Sequence, residues 1–244
     1  MVYEEVKKFY SEYGGKKCII GYSLLGRAIF AMYVGNILGR QLIAAYAVHG
    51  REYITARLAL KHIKLGLSPD WGGWIIPLVN PDGAAISQES APLWKANARG
   101  VDLNCNFDAL WGSGRKNTRV RGAENCIGDY PLSEPESKAL ARFTLKIMPS
   151  ATFSFHTKGE EIYWEFEGRG DEKGANILSQ STGYRAVKIS GSAGGYKDWC
   201  LLRLNIPSYT IECGSDELTH PIKDIHFLKK CYNALKFFTE RYGR

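Results

Sequence analysis

Four short runs of almost unbroken apolar residues, at 40–48, 74–79, 151–155 and 208–212, are separated by stretches with helical spacing. Such runs suit strands buried on both faces, and their alternation with helices calls for a largely parallel sheet covered on each side. Between them, Ile54, Leu58, Leu60 and Ile63 recur roughly at helical spacing until Gly66. Ser133 is placed to cap a helix carrying Leu140, Phe143 and Ile147, with Pro135 and Glu136 in its first turn. Further helices are expected at the N-terminus, at 171–182, at 195–204 behind a glycine-rich opening, and from His220 onward. Two strands at 17–21 and 27–35, joined by a turn at Leu25-Gly26, make the sheet mixed, and 161–166 reads as another strand. The expectation is one three-layer α/β domain spanning 1–244.

Composition narrows the function classes. The chain has 244 residues and a net charge of +7, but its basic residues are scattered, with short clusters such as 115–121 and no interleaved aromatics. No basic stripe or known reader motif marks a nucleic-acid binder. An anionic substrate or polymer fits the charge, as does a plain solvated surface. There is no apolar run long enough to span a membrane. The N-terminal segment lacks a basic stretch followed by an apolar one, so the cytosol is the expected compartment, with release outside the cell as the alternative. The six cysteines (18, 105, 126, 200, 213 and 231) form no CxxC pair. Free, mostly buried thiols are therefore expected. Residues 84–134 read as a long loop region after the turn Asn80-Pro81-Asp82-Gly83, and such a stretch is usually a functional surface.

Three ionisable residues end three of the apolar runs: His49 follows 40–48, His156 follows 151–155, and Glu212 closes 208–212. Open α/β sheets carry their sites beyond the carboxyl ends of strands. His49 and Glu52, separated by two residues on a tight turn, can reach one ion. With His156 they form the two-imidazole, one-carboxylate set that leaves zinc an open position. Glu212 is then free to act as a base toward water activated by the metal. The alternative is a strand-end histidine beside a glutamate stabilised by a helix dipole. His62, between Lys61 and Lys64, reads as an exposed helical residue, and His220 and His226 as capping or surface residues.

Five ordered segments carry a resemblance: His49-Gly50-Arg51-Glu52, Asn80-Pro81-Asp82-Gly83, Arg99-Gly100-Val101-Asp102-Leu103-Asn104, Ser154-Phe155-His156 and Tyr209-Thr210-Ile211-Glu212. Together they resemble the zinc carboxypeptidase (carboxypeptidase A-like) family over nearly the whole chain. The resemblance implies an α/β/α sandwich around a mixed, mostly parallel eight-stranded sheet. It implies one zinc ion held by His49, Glu52 and His156, Glu212 as general base, and Asp102 as the aspartate orienting the first histidine. Arg51 and Asn104 match substrate-binding positions. Lys95 falls where the family usually has an arginine stabilising the oxyanion, with Arg99 as the alternative donor. A lysine supplies charge without a planar fork.

Cys105 stands where family exopeptidases carry the arginine that grips a substrate's terminal carboxylate. A thiol offers neither charge nor fork, which argues against simple C-terminal trimming. The family's mobile tyrosine aligns near Ser190. Tyr196 is carried as a candidate substrate contact, with a packing role as its alternative. The segments Gly194-Gly195-Tyr196-Lys197-Asp198-Trp199 and 159–164 and the loop Trp94-Lys95-Ala96-Asn97 look most like bacterial γ-D-glutamyl-diaminopimelate peptidases. The expected activity is hydrolysis of that amide in peptidoglycan stem peptides. A metallocarboxypeptidase with altered carboxylate recognition, a deacylase of N-acyl amino acids and a non-catalytic cell-wall-peptide binding module are the alternatives. The expected partner is a peptide, not nucleic acid.

Overall fold

A computed structural model describes residues 1–243. In chain order the elements are α1 (Val2–Glu12), β1 (Lys17–Tyr22), β2 (Ala28–Gly35), β3 (Arg40–Tyr46), α2 (Thr55–Leu65), β4 (Trp71–Ile76), α3 (Pro81–Glu89) and α4 (Pro135–Ile147). They continue with β5 (Ala151–His156), β6 (Glu161–Tyr163), β7 (Glu165–Phe166), β8 (Arg169–Gly170), α5 (Glu172–Thr182), β9 (Arg185–Val187), α6 (Tyr196–Leu204), β10 (Ser208–Glu212) and α7 (Ala234–Arg241). Eight strands form one sheet in the order β1-β2-β4-β3-β5-β10-β6-β9, and β7 pairs with β8 apart from it. The central neighbours β4, β3, β5 and β10 run parallel. The β1–β2, β2–β4 and β10–β6 pairs are antiparallel, which makes the sheet mixed as expected.

Period-two alternation sends successive strand residues to opposite layers. Leu42, Ala44, Phe153, Phe155, Tyr209 and Ile211 pack on one side against Leu58 of α2, Leu178 of α5 and Phe238 of α7. Ile43 and Ala45 face the other layer, with Leu140 and Phe143 of α4 and Trp199 of α6. On that second face β5 and β10 are polar where they touch. Thr152 Oγ1 lies 2.5 Å from Ser208 Oγ, and Ser154 Oγ lies 3.1 Å from Thr210 Oγ1, all buried. Each hydroxyl satisfies another, so the polar rungs are tolerated in a dry layer.

Several expectations about elements are corrected. Asn80-Pro81-Asp82-Gly83 opens helix α3 instead of turning the chain: Asn80 Oδ1 accepts the Gly83 N–H at 2.9 Å, and Pro81 occupies the first turn. This is the preferred chemistry of a helix start. The cap of α4 is Glu134, one residue after Ser133, and it makes no side-chain capping bond. The strand expected at 161–166 breaks at Trp164 into β6 and β7. The helix expected from His220 begins later, as a 3-10 segment His226–Cys231 followed by α7. His62 is buried: its Nε2 donates to Cys231 O at 2.8 Å, and its Nδ1 lies 2.5 Å from Tyr46 Oη. It sits one turn after Leu58, on the inward stripe of α2.

The long connection between α3 and α4 is fixed by buried amides. Asn97 Nδ2 donates to Glu134 Oε2 at 2.8 Å and Glu136 Oε2 at 3.1 Å. Asn106 Nδ2 donates to Ile127 O and Ser133 Oγ, each at 2.9 Å. The region is irregular but held, as a functional surface requires.

Candidate metal centre and cavity

Strands β3, β5 and β10 are neighbours and parallel, so their carboxyl ends share one edge of the sheet. His156 and Glu212 are the last residues of β5 and β10 and stand opposite each other in register. His49 lies just beyond β3, and Glu52 ends the 3-10 turn Gly50–Glu52. Gly50 permits this turn to press against α3, because a Cβ there would lie 2.5 Å from Gly83 O and 2.7 Å from Trp94 O.

His49 Nδ1 lies 2.8 Å from Glu52 Oε1, His156 Nδ1 lies 3.0 Å from Glu52 Oε2, and the two Nδ1 atoms are 3.2 Å apart. All three residues are buried, and their ligand atoms lie within 4.8 Å of one another. On its other side His49 Nε2 meets Asp102 Oδ1 at 3.1 Å. Asp102 Oδ2 lies 2.8 Å from Lys95 Nζ. Burial works to lower the His49 pKa, but Glu52 and Asp102 outweigh it and hold it at about 9. Burial pushes His156 down. On Glu52, burial is outweighed by the two imidazoles, which hold its carboxyl well below the ordinary range. Burial, reinforced by the Glu52 charge, pushes Glu212 up to about 8. Two carboxylates thus converge on His49 and favour positive charge there. Two imidazole nitrogens and a carboxylate directed at one point can meet that preference with a divalent cation, and N,N,O donors suit zinc.

These groups open onto a cavity of about 560 Å³ lined by His49, Lys95, Asp102, Asn104, Cys105 and Glu212, among others. Asn104 Oδ1 accepts the Tyr196 N–H at 3.1 Å. Cys105 is buried, and burial with the nearby Asp102 charge raises its thiol pKa, so it is neutral.

Three candidates are placed elsewhere. Arg99 lies outside the lining: its Nε donates to Glu134 Oε2 at 3.1 Å, and the buried carboxylate holds it in the loop network. Tyr196 is fully buried, with Oη 2.8 Å from Thr144 Oγ1 and its ring against Phe107, which corrects the expectation of a substrate contact. Arg51 does not line the cavity; its Nη1 donates to Glu124 Oε1 at 2.5 Å, and its Nε is buried without a partner among the described residues. Conversely, Tyr163, Lys197 and Arg115 line the cavity without having been singled out. Lys197 is one residue from Tyr196, and one helical step of about 100° separates a core position from a cavity wall. Arg115 belongs to the short basic cluster noted in the sequence.

A buried N,N,O donor set beside an ionisable glutamate, open to a cavity, is the equipment of a metal-dependent hydrolase. The chain belongs to the zinc carboxypeptidase family, whose profile matches residues 4–177, and is a zinc metallopeptidase. It is similar to gamma-D-glutamyl-L-diamino acid endopeptidase 1 of Lysinibacillus sphaericus, with 27% identity over 92% of this chain and 67% of that protein. Among solved structures it is similar to murein-tripeptide amidase MpaA from Escherichia coli O157, with 26% identity, a TM-score of 0.68, and 93% and 92% of the two chains covered. Bovine thrombin-activatable fibrinolysis inhibitor, solved with tick carboxypeptidase inhibitor, shares the fold at a TM-score of 0.82 and 20% identity, covering 98% of this chain and 93% of that one.

Proposed function

We propose that this chain hydrolyses the amide bond after γ-D-glutamate in peptidoglycan stem peptides, releasing a diaminopimelate-containing product. The observation carrying the hydrolytic reading is the pairing of His156 and Glu212 at adjacent strand ends, with His49 and Glu52 completing the donor set. The substrate class is supported by the names of the similar endopeptidase and murein-tripeptide amidase. A neutral Cys105 on the cavity wall also fits a substrate that is not held by a simple terminal-carboxylate grip.

In this reading His49, Glu52 and His156 hold one zinc ion, which when bound acts as a Lewis acid and makes water a better nucleophile near neutral pH. Asp102 fixes the His49 tautomer by accepting Nε2–H, leaving the Nδ1 lone pair directed at the donor cluster. Glu212, a cavity carboxylate with a raised pKa, takes a proton from the attacking water and delivers it to the leaving amine nitrogen. Lys95 keeps its charge because, although burial opposes it, Asp102 lies beside it, and it presents that charge to the oxygen of the attacked carbonyl.

The test is a chelator-controlled assay with mass-spectrometric readout, offering L-Ala-γ-D-Glu-diaminopimelate beside ordinary peptides with free and amidated C-termini. Zinc-dependent cleavage after γ-D-glutamate is expected. Trimming of ordinary free C-termini would instead identify a carboxypeptidase with altered carboxylate recognition. Glu212→Gln is expected to lower turnover by about 10²- to 10⁴-fold while zinc still binds. Unchanged turnover in that variant would remove Glu212 from the mechanism.

A further inference from the structure

Four lysine and arginine side chains line the cavity, and two of them are each paired with a carboxylate. Lys95 Nζ is 2.8 Å from Asp102 Oδ2. Lys197 Nζ is 2.5 Å from Asp198 Oδ1 and donates to Glu165 O at 2.8 Å. In both pairs the carboxylate is almost fully buried. A substrate carboxylate would have to compete with these resident carboxylates for either lysine, and Lys95 is already assigned to the carbonyl oxygen.

Arg115 and Lys116 differ. They sit on an exposed loop at the cavity lining, and among the described residues neither has a carboxylate within ion-pair distance. The Arg115 guanidinium is nevertheless held in place. Nη2 donates to Ser190 O at 3.0 Å and to Ser190 Oγ at 3.2 Å, while its backbone N–H donates to Gly191 O at 3.0 Å. The guanidinium lies against the bare Cα of Gly191 (φ 79°), where a Cβ would collide with it. A guanidinium carries five N–H donors in a planar fork, and these two bonds occupy only the Nη2 side. Its partners, a carbonyl and a hydroxyl, are neutral, so they orient the group without cancelling its charge.

We propose that Arg115, with Lys116 beside it, is the carboxylate-binding group of this cavity and holds a carboxylate of the diamino acid on the product side of the scissile bond. The assignment rests on the peptidoglycan-peptide reading above and extends it to a named specificity residue. An oriented fork without a resident anion is suited to bidentate carboxylate recognition. Lys116 adds a mobile point charge to the same wall.

The experiment compares zinc-loaded wild type, R115Q and R115K on two tripeptides, one with free diaminopimelate carboxylates and one with both amidated. Wild type is expected to favour the free acid in kcat/KM. R115Q is expected to lose about tenfold to a hundredfold of that preference, through KM more than kcat. R115K should recover part of it, because charge returns without the fork. If R115Q keeps the wild-type ratio between acid and amide while the tripeptide is still cleaved, the Arg115 inference is overturned and the substrate reading stands. If wild type leaves both tripeptides intact yet cuts another peptide, the substrate reading falls and this assignment falls with it.

Discussion

At the scale of single residues, two imidazole nitrogens and one carboxylate are directed at one point, with Glu212 in register beside His156. His49, His156 and Glu212 were legible as candidates because each stands at or just beyond a strand end, where the fold class itself locates function, and Glu52 because it follows His49 on the next turn. Tyr196 was not. Its neighbours mark a cavity segment, but its side chain turns into the core and bonds to Thr144 Oγ1 at 2.8 Å. Tyr196→Phe should therefore cost about 1 kcal/mol of unfolding free energy, read by urea titration, and leave kcat/KM unchanged. A fall in kcat/KM without loss of stability would return Tyr196 to the substrate. Lys95→Gln tests the opposite case. Its charge faces both Asp102 and the cavity, so kcat should fall about 10²-fold or more, with a smaller change in KM. Arg99→Gln, in the Glu134 network, should alter stability and leave kcat within a few-fold of wild type. Equal losses in the two variants would mean that Lys95 acts only by holding the loop.

At the scale of elements, helix α2 carries a histidine that the charge pattern concealed. Lys61 and Lys64 suggest an exposed face, yet His62 lies one turn from Leu58 and joins α2 to Tyr46 of β3 and to Cys231. Burial pushes its pKa down to about 4, against a smaller opposing effect from its bond to Cys231 O. The unfolded chain thus binds a proton that the folded chain refuses between about pH 6.5 and 4. The neutral ring's contribution is fully present above pH 6.5 and is lost as the pH falls through that window, at up to about 1.4 kcal/mol per unit. Wild type and His62→Gln should therefore differ in the pH slope of their unfolding free energy between pH 6.5 and 4, with the variant shallower. Parallel slopes would show that His62 titrates normally in the fold. The start of α3 was hidden for a local reason. Asn80-Pro81 fits a turn or a helix start equally well, and only the Gly83 N–H bonded to Asn80 Oδ1 decides between them.

At the scale of the molecule, strand order was the part least open to inspection. Nothing local says that β10 inserts beside β5 and β4 beside β3, yet that order brings distant ends together. The candidate donors His49 and His156 are 107 positions apart in the chain. An ion held between them links the turn after β3 to the end of β5 and should stabilise the whole fold. Zinc at about a thousand times its Kd is expected to add about 4 kcal/mol and raise the melting temperature. Calorimetry with and without chelator should show the shift in wild type and a much smaller one in Glu52→Gln. An equal shift in the variant would place the ion elsewhere.

The paired hydroxyls between β5 and β10 have a consequence for how faithfully the chain assembles. Apolar burial cannot distinguish the native alignment of these strands from one displaced by two residues, since every side chain keeps its face. Thr152 with Ser208 and Ser154 with Thr210 can. The displacement breaks the native matching and strands at least one hydroxyl without water, at about 1–3 kcal/mol for each group left unsatisfied. These pairs bridge positions 56 apart in sequence, directly beneath the rung where His156 meets Glu212. The buried rungs therefore act as a proofreader for the rung that carries His156 and Glu212, making a misaligned strand the costlier one before any substrate has arrived.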